Sequence, residues 1–306
     1  MKELLYRSFS AVRGDRLAFQ LSGSSLRILT YHGVCEDRFA GERWVPPSFV
    51  SRSSFERQIA YLKQNTHVLS LSKAVACLQS GGLPQRSVAI TLDDGYANNL
   101  HVAYPILEKY GVPATIFLTT SHAETGEFYP FDLQRVLPEV SRPDQGNGRP
   151  PHDLWLEEST NSRFSQGLRE TLRPLRVDEI EKWNSELIEF GAHTHRHAIL
   201  RNESLARREW EITMSVDRVH EWAGRPVKFF SYPYGGLGDF GELDKLMLRS
   251  NGIQAAVTTI PGVNRAGCDL FGLRRYSIGL HHDWGAFLAE LTGFRSLVNS
   301  LAGRSA

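Results

Sequence analysis

The run Ser87-Val-Ala-Ile-Thr-Leu92 leads directly into Asp93-Asp94-Gly95-Tyr96, and this junction constrains the fold more than any other stretch. Six uncharged residues, mostly apolar, read as a strand buried on both faces. Strands of that kind belong to parallel sheets wrapped by helices, whose C-terminal strand ends carry the chemistry. Two carboxylates at such an end stand where a site is expected. Taken alone, the pair is equally well read as a turn in which one carboxylate caps the next helix.

The same rhythm runs along the chain. Strands are expected at 26–31, 67–71, 114–118, 186–190, 227–232, 255–259 and 275–278. Helices are expected at 55–63, 72–79, 98–110, 203–224 and 240–251. This alternation argues for an α/β fold with a parallel sheet, open or closed into a barrel. A length of 306 residues suits one large domain of that type. Residues 141–174 break the pattern with Pro, Gly, Asn, Ser and Arg, and are read as a loop insertion.

Composition narrows the function. With 35 basic and 34 acidic residues the formal net charge is +1, which gives no surface for a polyanion, so nucleic acid is not an expected partner. Cys35, Cys77 and Cys268 are an odd, scattered set and do not form a disulfide framework. No stretch reaches membrane-spanning length, and residues 1–15 lack the apolar core of a signal peptide. A cytoplasmic protein is the expectation. Leu5, Phe9 and Val12 recur at helical spacing beside Lys2, Arg7 and Arg13. That helix either packs on the domain or lies on the inner membrane face.

Downstream, Gly-Ala-His193-Thr-His-Arg-His197 follows another apolar run. Imidazoles at i and i+4 can share one side of a helical turn and reach one ion. His195, between them, is expected to point elsewhere. An Asp and two His offered to a metal, with a second carboxylate left free as a base, fit metal-assisted hydrolysis of an amide or ester. A zincin-type protease is not the expectation, because Thr194, not Glu, follows His193. In Phe229-Phe-Ser-Tyr-Pro-Tyr-Gly-Gly236, a strand ends in a turn able to aim a backbone N–H at a developing oxyanion.

The segments Thr91-Leu-Asp-Asp-Gly95, His193-Thr-His-Arg-His197 and Tyr232-Pro-Tyr-Gly235 resemble the successive motifs of the polysaccharide deacetylase family, the NodB-homology domain of carbohydrate esterase family four. Tyr31-His32 and Phe128-Tyr-Pro-Phe-Asp132 resemble its branch in bacterial exopolysaccharide or cell-surface glycan pathways. The similarity runs from about Leu26 to about Phe294. It implies a distorted (β/α) barrel with fewer than eight strands over 26–294, after a helical extension at 1–25 and before a tail at 295–306. It also implies a divalent metal, usually zinc, held by Asp94, His193 and His197, with Asp93 as general base and the Tyr234 N–H at the oxyanion.

Two departures from the family pattern stand out. Ser231 occupies the place of an Arg that orients the base, and Arg275 or Arg225 would have to replace it. The late His that protonates the leaving amine has only His281 and His282 as nearby candidates, with His32 the other contender. His32, Tyr232, Pro233 and Arg275 are expected to line the substrate site. The implied substrate is an N-acetylated saccharide, in a polymer or lipid-linked. The alternatives are an O-deacetylase, a deformylase or another amide hydrolase on the same barrel, or an idle glycan-binding protein.

Overall fold

A computed structural model describes residues 23–136, 166–183 and 185–295, together with Tyr6, Gly14 and Val298. The expected N-terminal helix, most of the 141–174 insertion and the tail beyond 295, apart from those three residues, therefore lie outside the described residues.

In chain order the elements are β1 (Leu26–Tyr31), β2 (Val34–Cys35), β3 (Val50–Ser51), α1 (Arg52–Asn65), β4 (His67–Val68), α2 (Leu71–Ser80), β5 (Ser87–Leu92), α3 (Tyr104–Tyr110), β6 (Ala114–Leu118), α4 (Thr120–Thr125), α5 (Pro130–Val136), α6 (Gln166–Leu172), α7 (Val177–Glu181), β7 (Ile188–Ala192), α8 (Leu205–Ala223), β8 (Phe229–Ser231), α9 (Glu242–Ser250), β9 (Ala255–Val257), β10 (Arg275–Ser277) and α10 (Trp284–Thr292). Seven of the strands form a parallel ring in the order β10-β1-β5-β6-β7-β8-β9, with β4 pairing alongside β5. A parallel bridge between Val257 and Leu273, just before β10, brings the two edges together. The result is a nearly closed, distorted barrel, as expected.

Every residue of β1 and β5 is buried. Side chains of period two separate into two apolar clusters. Leu26, Ile28, Ala89, Phe117, Phe229 and Val257 pack with one another and with Leu71, Val75 and Leu78 of α2. That is the barrel interior, with α2 closing one end. Leu29, Ile90, Ile116, Phe230 and Ala256 take the opposite parity and pack under the outer helices, beside Phe55, Ile59 and Leu62 of α1 and Ile212, Val216 and Val219 of α8. Ser51 caps α1 and Ser204 caps α8, each accepting a backbone N–H of the first turn.

Several boundaries differ from the sequence expectation. The strand expected at 67–71 ends at Val68, because Ser70 caps α2 and Leu71 already belongs to it. The helix expected at 98–110 begins as a wide π-helical turn over Asn99–Ala103. The last part of the expected insertion, Gln166–Leu172, is a helix whose Leu168 and Leu172 pack against Tyr96 and Tyr129. It belongs to the body of the domain.

Candidate active site

Strand parity sets the first carboxylate. Ala89 points into the barrel, so Thr91 and Asp93 do too. Arg275, the first residue of β10, reaches the same point and is fully buried. Its Nη1 donates to Asp93 Oδ1 at 2.7 Å and its Nη2 to Asp93 Oδ2 at 2.6 Å. Its other donors go to Thr91 Oγ1, Ser231 Oγ and the Thr258 carbonyl. A guanidinium has five N–H groups, and all five are used. Burial pushes the Asp93 carboxyl up, but Arg275 offsets this and holds it below its ordinary value, so it is ionised at neutral pH.

The second carboxylate leaves the alternation. Asp94 adopts a left-handed φ of 71°, which swings its side chain away from Asp93. Its Oδ1 lies 3.4 Å from His193 Nε2 and 3.3 Å from His197 Nε2. The candidate ligand atoms of Asp94, His193 and His197 all fall within 4.8 Å of one another. The two imidazoles do not share a helical turn. They come from a loop bent by left-handed residues at Thr194 and His197, each with φ 59°. Tertiary packing, not helical periodicity, makes the i, i+4 pair converge.

Two observations test whether these residues suit a cation. Asp94 Oδ1 is buried and makes no hydrogen bond. His193 Nδ1 donates to the Ser231 carbonyl at 2.7 Å, which leaves the Nε2 lone pair of the neutral ring aimed at that oxygen. A lone pair facing a carboxylate is repulsive unless a cation lies between them. Burial pushes the His193 imidazole down, while Asp94 and Asp93 offset this and raise it above its ordinary value.

A cleft of about 280 Å³ opens over these groups. It is lined by Asp93, Asp94, His193 and His197 together with His32, Phe131 and Tyr234. Phe131 and Tyr234 stand 5.4 and 5.3 Å from the His197 ring, centroid to centroid.

The sequence model of the polysaccharide deacetylase family matches residues 80–254, more than half of the chain and all three motifs. The chain belongs to the polysaccharide deacetylase family. A poly-β-1,6-N-acetyl-D-glucosamine N-deacetylase of Staphylococcus aureus is 36% identical over 119 residues, covering 36% of this chain and 41% of that protein. The namesake from Staphylococcus epidermidis is 26% identical over 231 residues, covering 72% of this chain and 64% of its own length. The chain thus matches less than two thirds of either relative. Among solved structures, a Streptococcus pyogenes deacetylase in complex with acetate superposes with a TM-score of 0.63 at 20% identity, over 87% of this chain and 98% of that one. IcaB from Ammonifex degensii gives 0.61 at 20% identity, over 88% and 98%. At such identities the structures speak for the shared barrel.

In this member of the polysaccharide deacetylase family the expected site residues divide. Asp93, Asp94, His193, His197, His32 and Tyr234 meet in the cleft. His195 does point elsewhere, its Nδ1 2.8 Å from Thr120 Oγ1 and its ring edge-on to Trp210. Arg275 touches Asp93 but, with its donors spent, is not a wall of the substrate site. Tyr232 is not one either. Its ring stacks on Phe240 at 3.9 Å and its hydroxyl donates to the Phe271 carbonyl. Pro233 is buried beside it and does not line the cleft.

His281 and His282 also lie away from the cleft. The buried His282 accepts the Gly279 N–H on Nδ1, and its Nε2 abuts Arg295. His281 is exposed and packs on His282 at 4.1 Å. Sequence reasoning missed Thr91 and Thr258, which share Arg275, and the aromatic wall Phe131. For Thr91 the signal was present, two residues before Asp93 on the same strand face.

Proposed function

We propose that the protein is a metal-dependent N-deacetylase of an N-acetylglucosamine polymer, with poly-β-1,6-N-acetyl-D-glucosamine the first candidate. The observation that carries this reading is the convergence of Asp94, His193 and His197 beside an ionised, separately held Asp93. A divalent ion there, zinc by its liking for nitrogen and oxygen ligands in four-coordinate sites, would polarise the acetamide carbonyl and acidify a water. Asp93 takes the proton of the attacking water, and Arg275 keeps that carboxylate ionised and aimed. The Tyr234 N–H, in the turn after β8, serves the developing oxyanion. His32 is the residue assigned to protonate the leaving amine. It lines the cleft, and its Nδ1 is buried without a hydrogen-bond partner.

The idle glycan-binding alternative rested on Ser231 standing where an Arg was expected. Arg275 supplies that guanidinium from β10, so the argument for idleness falls away. The test is release of acetate from oligomers of β-1,6-linked N-acetylglucosamine by metal-stripped and zinc-reloaded protein, with Asp93→Asn alongside. Release that needs the metal and disappears in Asp93→Asn supports the assignment. Bound zinc with no release from any N-acetylated glycan sinks it.

A further inference from the structure

Asp94 holds a left-handed backbone, φ 71°, a conformation that residues bearing a Cβ adopt only as an uncommon choice. Such a conformation persists only where the surroundings impose it. One buried side chain stands against it. The Tyr129 hydroxyl donates to the Asp94 carbonyl at 2.5 Å, from a ring with no exposed surface. The same ring meets the His197 imidazole edge-on at 5.7 Å between centroids. Tyr129 therefore touches two members of the ligand set, which reach the site from the loops after β5 and β7.

Tyr129 is itself held on every side. It stacks on Phe131 at 5.0 Å and on His122 at 4.1 Å. Its carbonyl accepts the N–H groups of Asp132 and Leu133, so it heads α5. Tyr96, two residues after Asp94, donates to the buried Asp132 Oδ2 at 2.6 Å and ties α5 to the Asp93-Asp94 loop a second time. Short bonds and stacked rings thus link the turn after β5, the head of α5 and the His193–His197 loop.

We propose that Tyr129 is a positioning residue for the metal set: its hydroxyl holds Asp94 in its bent backbone and its ring sets the plane of His197. This rests on the reading of Asp94, His193 and His197 as ligands. It predicts metal affinity, not turnover alone, as the property Tyr129 controls.

The test is competition of the full chain with a chromogenic chelator for Zn²⁺ and Co²⁺, in wild type, Tyr129→Phe, Asp94→Asn and the remote control Tyr104→Phe. The visible spectrum of the Co²⁺ form is recorded for each. Tyr129→Phe keeps the ring and loses only the hydroxyl. Its dissociation constants are expected to rise about 10- to 100-fold, the usual effect of losing a group that orients a ligand, and its Co²⁺ spectrum is expected to change. Tyr104→Phe should match wild type. An affinity within about twofold of wild type and an unaltered spectrum in Tyr129→Phe, with Asp94→Asn binding far more weakly, overturn the assignment and leave the metal reading standing. Wild type that takes up neither ion overturns both. Should Tyr129→Phe not fold, Asp132→Asn, which loosens the tie from Tyr96, takes its place: weaker binding supports the proposal and unchanged binding overturns it.

Discussion

Arg275 and Asp93, 182 positions apart, meet in a two-pronged ion pair with bonds of 2.7 and 2.6 Å inside the barrel. The pair therefore joins β10 to the end of β5 across the intervening β1, by side chains as well as through the strand ladder. Removing the guanidinium would leave a buried carboxylate without its counter-charge.

Arg275→Met is expected to cost about 3–5 kcal/mol in denaturant unfolding, the penalty for breaking one side of a buried pair. Arg275→Lys keeps the charge but cannot grip both oxygens. It should fold, hold metal as wild type does and lose about a hundredfold in acetate release, since misplacing a reacting group by about 1 Å costs that much. Full activity in Arg275→Lys would show that the two-pronged grip does not matter.

Chelation should lower stability as well as stop turnover. Zinc at about 100 times its dissociation constant would add roughly 2.7 kcal/mol to the native state by mass action alone. Thermal melts with and without chelator, repeated for His193→Ala, measure this. A melting temperature indifferent to zinc in wild type would contradict the ligand assignment.

His122 gives a pH dependence of known sign. Burial pushes its imidazole down to about 4, while its Nδ1–H donates to the Glu127 carbonyl. The unfolded chain takes up that proton near pH 6.5 and the native one does not until about 4. Its contribution to stability is thus whole above 6.5 and is lost as pH falls toward 4, by about 2–3 kcal/mol. His122→Gln should flatten that part of the stability curve relative to wild type. Parallel curves for the two proteins over this range would refute the assignment.

Two glycines separate backbone strain from crowding. Gly224 ends α8 at φ 63° with open space where a Cβ would lie, so Gly224→Ala should cost about 1 kcal/mol. Gly95 has φ 66° and a Cβ there would stand 2.7 Å from Leu118 Cδ2. Gly95→Ala should lose about 2–4 kcal/mol in urea titrations, strain and overpacking together. Equal losses would mean that the Leu118 side chain yields freely.

The strands β1, β5 and β6 were legible to the residue, because full burial leaves runs dominated by apolar and β-branched residues, with Arg27 the one charge among them. The candidate ligand set was legible because few residue types bind metals, with the family resemblance choosing Asp94 over Asp93. The geometry bringing those ligands together was not, since the bends at Asp94, Thr194 and His197 are imposed by neighbours distant in sequence. The misreading of Tyr232 has a simple cause. Ser231 faces inward to Asp93, so Tyr232 must face outward, toward Phe240. Nothing local marked Arg275 as the partner of Asp93 over Arg225, whose Nη2 instead meets the Ile188 carbonyl. The barrel's closure alone decides between them.

Among the described residues, five other than glycine hold a positive φ: Arg86, Asp94, Thr194, His197 and Tyr234. Four of them belong to the motif turns around the cleft, so a search for a hardier catalyst has little room there. Arg86, in the turn before β5, is the exception. Arg86→Gly is the one relaxation of this kind open to an engineer who wants extra heat tolerance with the chemistry left intact.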